Sequence, residues 1–409
     1  MNFKTIIRNS FIVFLALLVI ASAYVVYAII WTYQFNSAQR KAVENISTDF
    51  YQTTPIIRDP NGYLGVVATV NGQYVDTLLF DTQASTSLAK QEVLDRYKAE
   101  YWRRKPMPTF NFYKQVYFSK LYKVNDIALG GCKLEGVIFT SVPKDNGMYN
   151  ALYRPVLGRA IMENIGWKFD MDNNETALFA LGNETLLRRA TQGFTLARGG
   201  VNDLQLHSEP TDTLNVLFDL GSNYDIIIDR TTYEKLRQCQ TPRRYTNYRR
   251  EGLTDTIAEF HNITVFCNEI AIPDCTLSYI PSIDRNVAGN IFAGKLNFVL
   301  AGGNLYVKQR ADTCPAIRDG LSPLGLRLNV RNNAVCVTAL EINGAAEKAG
   351  FMLGDKVVAV DNGAINADIM SVASGKLERY IQQADSLTLE IERDGEREIF
   401  SIMRERECI

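Results

Sequence analysis

The sequence predicts a mainly β protein: an N-terminal transmembrane helix, two related β-rich lobes and a smaller α+β unit after them. Three observations predict this fold class. An apolar stretch that ends in an aspartate occurs twice, as TLLFDTQAST (77–86) and LNVLFDLGSN (214–223). Each copy is followed later in the chain by two apolar residues and a glycine, at Gly158 and at Gly289. Residues 11–31 carry no charge.

Composition limits the function classes. A chain of 409 residues with 46% hydrophobic and 11% aromatic residues is an ordered globular protein of two or three domains. The 44 Lys and Arg nearly balance the 45 Asp and Glu, so no overall basic field indicates nucleic-acid binding. With two histidines and no Cys-x-x-Cys pair, we expect no metal site and no cofactor.

The N-terminal apolar run is long enough to cross a bilayer. Phe11 to Trp31 is 21 residues without a charge, and Lys4 and Arg8 precede it, as in an N-inside orientation. The alternative is a cleaved signal peptide, with residues 21–23 (ASA) as the cleavage box. Because the apolar run continues through YVVYAIIW, a retained anchor is favoured. We assign residues 1–33 to the anchor or signal and 34–60 to a polar spacer.

Lobe 1 is assigned to residues 61–190 and lobe 2 to residues 191–310. In lobe 1, Asn71-Gly72 between two apolar runs predicts a hairpin, and a short helix is expected around residues 89–97. In lobe 2, DIIID reads as a strand and RTTYEKLRQ as a helix, with Thr231 and Glu234 in capping-box spacing. The segments 155–181 and 286–308 then repeat one pattern, a glycine, a short helix and a hairpin.

The third unit is assigned to residues 321–404, after a linker. Strands alternate with a short helix at 345–348 that ends near Gly350, and a longer amphipathic helix is expected over 367–382. Cys267 and Cys275 are either bridged across a hairpin or free, since spacing alone does not decide pairing.

The two lobes resemble the aspartic peptidases of the pepsin and retropepsin type. In that family each lobe contributes an Asp-Thr/Ser-Gly turn with a crossing segment of two apolar residues and a glycine. The resemblance implies acid-protease-like β lobes, a catalytic dyad and a set of dyad-supporting residues. The dyad is Asp81 and Asp219; the supporting residues are Thr82, Gln83, Leu220, Gly221, Gly158 and Gly289.

The turns depart from the family pattern once in each lobe. Gln83 stands at the glycine position of lobe 1, where a glycine-only conformation would cost a side chain about 1–3 kcal/mol. Leu220 stands at the threonine position of lobe 2, where a lost hydrogen bond costs about 1 kcal/mol. Two function classes therefore stay open. One is an aspartic endopeptidase acting on proteins or peptides; the other is an inactive pseudo-peptidase that binds extended peptides as a scaffold or adaptor.

A flap over the cleft is expected between residues 110 and 122, with Tyr113 or Tyr117 at its tip. Tyrosines are also common in ordinary strands. For each of the two residues taken alone, a place in an ordinary strand is favoured over the flap tip.

The third unit resembles a PDZ domain. PLGLRL matches the carboxylate-binding loop, which implies that Leu324, Gly325 and Leu326 offer backbone amides to a C-terminal peptide. The alternative is a PDZ fold packed on the lobes without a ligand. No Gly-x-Ser-x-Gly is present, which excludes a serine peptidase with a PDZ domain.

The whole organisation resembles membrane-anchored proteases of the bacterial envelope. We expect most of the chain to lie in the periplasm, anchored in the inner membrane or exported after signal cleavage. The expected partners are a protein or peptide substrate, a C-terminal peptide and the membrane, through residues 11–31. The protein is a monomer or an oligomer of unknown size.

Overall fold

The computed structural model describes residues 3–44, 46–58, 63–106, 108–110, 116–144, 149, 152, 154–209, 212–250, 253–311, 322, 324–331, 334–361, 363–364, 380–381 and 383–404. This part of the chain is mainly β with one long N-terminal helix, which confirms the predicted fold class.

The N-terminal segment begins with helix α1 (Phe3–Glu44) and continues into strands β1 (Tyr51–Pro55) and β2 (Ile57–Arg58). The part of α1 from Ile12 on is long and apolar enough to cross a membrane, and a signal sequence has the same properties.

The described part of lobe 1 contains eleven strands and three helices. In chain order they are β3 (Leu64–Val70), β4 (Tyr74–Asp81), β5 (Ser87–Lys90), α2 (Gln91–Arg96), β6 (Glu100–Arg104), β7 (Thr109–Phe110), β8 (Val116–Tyr117), β9 (Lys120–Leu129), β10 (Cys132–Val142), β11 (Val156–Gly158), α3 (Arg159–Met162), β12 (Gly166–Asp170) and β13 (Glu175–Phe179), with α4 (Glu184–Thr191) following. The turn between β3 and β4 is the predicted Asn71-Gly72 hairpin, and both residues have positive φ.

Lobe 2 repeats this order. It contains β14 (Thr195–Leu196), β15 (Leu204–Ser208), β16 (Asp212–Phe218), β17 (Ile226–Ile228), α5 (Arg230–Cys239), β18 (Arg244–Arg250), β19 (Leu253–Cys267), β20 (Ile270–Tyr279), β21 (Val287–Ala288), α6 (Asn290–Ala293), β22 (Leu296–Ala301) and β23 (Asn304–Gln309). In both lobes a short strand that ends at or just before a glycine pairs in parallel with the strand that leads to the aspartate.

A six-stranded sheet joins the lobes, in the order β1-β13-β12-β22-β23-β14. At its centre β12 of lobe 1 pairs antiparallel with β22 of lobe 2. Aromatic rings from both lobes meet beneath it, with Phe169 stacked on Phe298 at 4.3 Å between ring centroids. This shared core fixes the two lobes relative to each other.

The C-terminal unit (residues 322–404) has its own apolar core. Its elements are β24 (Leu326–Arg331), β25 (Ala334–Glu341), α7 (Ala345–Lys348), β26 (Lys356–Val360), β27 (Gly363–Ala364), β28 (Ser386–Arg393) and β29 (Glu396–Met403). Strand β25 also pairs antiparallel with β18 of lobe 2, through Glu341, Leu340 and Ala339. One sheet therefore continues from lobe 2 into the C-terminal unit. The predicted helix over 367–382 lies mostly outside the described residues.

The predicted polar spacer over residues 34–60 is wrong. Helix α1 continues to Glu44 because one of its faces packs on lobe 1, with Phe35 and Ala42 buried and Gln39 donating from Nε2 to the carbonyl of Ile138 at 3.2 Å. After the helix, β1 joins the six-stranded sheet.

Two local features also differ from the sequence-based expectation. Helix α5 is capped by the side chain of Asp229, which accepts from the amide of Thr232 at 2.8 Å, so Thr231 does not cap it. Cys267 and Cys275 are both free and buried, which removes the bridged alternative.

We expect Trp31→Ala to lower the free energy of unfolding of lobe 1 by about 3 kcal/mol, because Trp31 is 3% exposed and packs between Phe35 and Trp102. Tyr33→Ala is the matched control, since Tyr33 is 76% exposed on the same helix. Denaturant unfolding of the full chain in detergent measures both. Equal stability of the two variants would contradict the packing of α1 on lobe 1.

Candidate active site

The two aspartates of the repeated motif lie at equivalent places in the two lobes. Asp81 ends β4, where Gly158 of the crossing strand β11 lies opposite it. Asp219 follows β16, and its amide donates to the carbonyl of Ala288 in the crossing strand β21 at 2.8 Å. Gly289 comes directly after that strand. Each lobe therefore places its crossing strand beside its aspartate, in an equivalent arrangement.

The carboxyl groups of Asp81 and Asp219 lie within hydrogen-bonding reach of each other. Their backbone donors differ. One oxygen of Asp81 accepts from the amides of Gln83 (2.8 Å) and Ala84 (2.7 Å). Asp219 accepts from one amide, that of Gly221, at 2.9 Å. Since amide donors stabilise the ionised form of a carboxyl group, the geometry favours Asp81 as the ionised member.

Burial raises the pKa values of both aspartates, and the negative charge of Asp81 raises that of Asp219 further. Burial raises the pKa of Asp81, and the amides of Ala84 and Gln83 oppose that rise. The pKa of Asp219 lies well above its usual range because of burial first and then the negative charge of Asp81. Two carboxylates this close do not both ionise, so the pair holds one shared proton, which resides on Asp219.

Thr82 joins the lobes behind the dyad. Its hydroxyl donates to the carbonyl of Phe218 at 2.6 Å and accepts from the amide of Leu220 at 3.1 Å. Leu220 is fully buried and has no hydroxyl with which to return these bonds to lobe 1. These inter-lobe hydrogen bonds behind the dyad therefore use a side chain of lobe 1 and backbone atoms of lobe 2.

Gln83 adds to this one-sided contact. Its side-chain Nε2 donates to the carbonyl of Phe218 at 3.1 Å, the acceptor that Thr82 also uses. The expected glycine-only backbone at Gln83 is wrong, since its φ is not positive. The side chain is thus accommodated without that strain, and its amide is engaged with a buried carbonyl.

Gly221 is required by close approach. Its φ is not positive, but a Cβ atom built on it would overlap the carboxyl group of Asp81. This glycine lets the backbone of lobe 2 lie directly against the carboxylate of lobe 1.

We expect Gly221→Ala to reduce any dyad-dependent hydrolysis about 100-fold, because the new methyl group must push the Asp81 carboxyl aside. The cost in the free energy of unfolding should be about 1–3 kcal/mol. Gly182→Ala is the matched control, because a Cβ atom there meets nothing within 4 Å. Steady-state hydrolysis and thermal unfolding measure both effects; wild-type rates in Gly221→Ala would contradict the close approach.

A buried ion pair that the sequence reasoning missed lies beneath the second turn. The Asp225 carboxyl accepts from Nζ of Lys295 at 2.6 Å and from the amide of Thr276 at 2.8 Å, while its carbonyl accepts from Gly289. In lobe 1, Ser87 instead accepts from the amide of Gly158 at 3.2 Å. The partners of Asp225 are 51 and 70 residues away in sequence, so no local pattern indicates them.

The described part of the predicted flap region contains two short strands. Strands β7 and β8 pair antiparallel, and Thr109 lies opposite Tyr117. Tyr113 lies outside the described residues.

The predicted carboxylate-binding loop is closed on itself. Leu324, Gly325 and Leu326 are buried. The amide of Gly325 donates to the carbonyl of Ser322 at 2.9 Å, and the amide of Leu326 donates to its hydroxyl at 3.4 Å. Two of the three amides expected to hold a ligand thus already donate to Ser322. Among the residues that the structure describes, no group of three His, Cys, Asp or Glu is arranged to hold a metal ion.

Comparisons with known proteins find similarity in structure. No family model and no curated protein sequence matches the chain. Among solved structures, a retropepsin-like aspartic protease from Rickettsia conorii is 18% identical, with 33% of this chain and 96% of that chain covered and a TM-score of 0.24.

Two further structures match more of the chain. An aspartic proteinase from Irpex lacteus is 10% identical, with 65% of this chain and 99% of that chain covered and a TM-score of 0.44. Basic 7S globulin from soybean is 8% identical, with coverages of 64% and 94% and a TM-score of 0.38.

Proposed function

We propose that the protein is an aspartic endopeptidase that hydrolyses protein or peptide substrates with Asp81 and Asp219. The observation that carries this proposal is that the carboxyl groups of the two aspartates lie within hydrogen-bonding reach of each other. Burying two carboxyl groups together costs free energy, and a cleft that only binds peptide has no need of them. The side-chain amide of Gln83 donates to the carbonyl of Phe218, and we propose that a water, not this side chain, lies between the two carboxyl groups.

The unequal surroundings of the dyad assign its roles. Ionised Asp81 takes a proton from a water as the water oxygen attacks the peptide carbonyl carbon. Protonated Asp219 donates its proton to the carbonyl oxygen, which gives a neutral tetrahedral diol. The carbon–nitrogen bond then breaks: the nitrogen receives a proton from Asp81, and Asp219 recovers its own from a hydroxyl of the diol.

A pseudo-peptidase is the second candidate, and Leu220 is the observation that favours it. Because Leu220 has no hydroxyl, lobe 2 cannot make the hydrogen bonds to lobe 1 that would match those of Thr82 to lobe 2. A looser dyad retains the cleft and its peptide-binding surfaces but loses the alignment that rate acceleration needs. In this candidate the cleft acts as a scaffold or adaptor for extended peptides.

Digestion of an unfolded protein mixture from pH 3 to 8 separates the two candidates. The full chain in detergent is compared with the double variant Asp81→Asn, Asp219→Asn, and new peptide termini are counted by mass spectrometry. The endopeptidase predicts cleavage that disappears in the double variant. Equal absence of cleavage from both proteins, with retained peptide binding, would support the pseudo-peptidase.

We assign a recruiting role to the C-terminal unit, as a PDZ-like module for peptides that end in a free carboxylate. Its continuation of the lobe 2 sheet through β18 and β25 holds it in a fixed position beside the lobe. A ligand carboxylate must displace Ser322 from the loop amides. Peptides with a free and an amidated C-terminus, compared in a binding assay, test this role; equal affinity would contradict it.

We place the protein in a bacterial cell envelope, with α1 as a retained inner-membrane anchor and the lobes in the periplasm. The length and apolar character of α1 support this placement. The intact mass of the protein isolated from membranes tests retention.

A further inference from the structure

Helix α1 is held on lobe 1 in a defined orientation. Trp31 and Phe35 are buried in a cluster with Leu121 and Ile138, and both aromatic rings lie edge-on to Trp102. Between Ile12 and Ile30 the side chains of α1 are mostly exposed and apolar, for example Ile20 (64%) and Ile29 (63%). The orientation of lobe 1 therefore determines which of its faces meets a bilayer that α1 enters.

Strand β6 and the loop after it run along α1 toward its apolar end. Trp102 contacts the helix at Trp31 and Phe35, and the carbonyl of Pro106 accepts from the hydroxyl of Tyr24 at 2.7 Å. Seven helical residues separate Trp31 from Tyr24, which is a rise of about 10 Å. The loop at Pro106 thus lies beside the uncharged run of α1, about 10 Å before its end.

The side chains of this face suit a membrane interface. The segment 101–122 contains no acidic residue. Tyr101 (59%), Val116 (59%) and Phe118 (53%) are exposed, and the Arg104 guanidinium lies over the Phe118 ring at 5.7 Å. Aromatic side chains concentrate at membrane interfaces, and Arg and Lys are attracted to anionic headgroups.

From this arrangement we propose that lobe 1 docks on the bilayer surface through its membrane face, defined as strands β6, β7 and β8 and the start of β9. The partner is a layer of anionic lipid headgroups, in the bilayer that α1 enters. The apolar and aromatic side chains enter the interface, and Arg103, Arg104 and Lys120 contact lipid phosphates. The inference rests on the proposed anchor, and it places strands β7 and β8, where the sequence predicts a flap, at the membrane.

Hydrogen–deuterium exchange of the full chain tests this docking. The chain is compared in detergent, in nanodiscs of zwitterionic lipid and in nanodiscs with about a third anionic lipid. We expect amides of the membrane face to exchange more slowly in anionic nanodiscs than in either other condition. The region around Val75 is the internal control. Val75 pairs with Thr69, which pairs in turn with Ala128 of β9. Ala128 lies eight residues along β9 from Lys120, so the control region is about 26 Å from the membrane face.

Charge reversal gives the matched variants. The double variant Arg104→Glu, Lys120→Glu should reduce the slowing of amide exchange at the membrane face in anionic nanodiscs by at least about tenfold. Lys133→Glu, at the far end of lobe 1 and 57% exposed, should leave it unchanged. Exchange at the membrane face that is the same in all three conditions would overturn the docking. Equal slowing in both kinds of nanodisc would overturn the anionic partner.

Failure of the anchor is distinguishable from failure of the docking. A protein whose intact mass lacks residues 1–23, or which does not co-elute with nanodiscs, refutes the anchor. A retained and incorporated chain with an unprotected membrane face refutes the docking alone. Neither result alters the expectation for cleavage by the dyad.

Discussion

Asp219→Asn should reduce peptide hydrolysis by at least about 1,000-fold while peptide binding is retained. The asparagine fills the same space but supplies no proton to the carbonyl oxygen of the substrate, and general acid–base catalysis contributes about 10²–10⁴-fold. Because the pKa of Asp219 is raised by burial and by the charge of Asp81, it is the member that carries the shared proton. Initial rates on a fluorogenic peptide and its affinity by fluorescence anisotropy measure the two quantities.

Asp225→Asn is the informative control. Asp225 is more deeply buried than either aspartate of the dyad, and its carboxyl is engaged by Lys295 and contacts neither of them in the described structure. This variant should lose stability, since it breaks a buried ion pair, and keep most of its rate per folded molecule. A rate loss in Asp225→Asn equal to that in Asp219→Asn would contradict the assignment of the acid to Asp219.

The rate of hydrolysis should pass through a maximum with pH. Activity needs one proton on the pair, so it falls on the acid side as Asp81 takes a proton and on the alkaline side as Asp219 loses one. Burial raises both pKa values, so the pH of maximum rate should lie above about 4, the pKa of an ordinary carboxyl group. A rate that rises steadily to pH 8 would contradict a dyad mechanism.

The raised pKa of Asp219 also predicts how stability depends on pH. Its proton is bound more tightly in the folded than in the unfolded chain, so this carboxyl stabilises the fold most below its unfolded pKa, about 4. That contribution is lost as the pH rises through the folded pKa. Asp219→Asn removes the dependence, so its melting temperature relative to wild type should rise between pH 4 and 7. A constant difference would contradict the raised pKa.

The sequence predicts the fold class and the two dyad positions because these depend on a repeat. The apolar run before each aspartate and the later glycine recur in the same order, and the structure gives them the same pairing in both lobes. The Asn71-Gly72 turn is equally local, since the two residues alone specify the hairpin.

Features that depend on tertiary contact are not visible in the sequence. Helix α1 continues through a polar segment because Phe35 and Ala42 pack on lobe 1. A prediction from polarity alone therefore ends the helix too early. At Gln83 the family pattern predicts strain, but the backbone adopts an ordinary φ and the side chain finds Phe218 of the other lobe. The pairing of β18 with β25 joins segments about 90 residues apart, for which no periodicity gives a signal.

The most direct test of the central claim is a double-mutant cycle of hydrolysis rates with Asp81→Asn, Asp219→Asn and the combined variant. Two carboxyls that share one proton act as a unit, and losses within such a unit are far from additive. We predict that each single variant loses nearly as much activity as the double variant. Losses that add, or a single variant that retains the wild-type rate, would contradict the account.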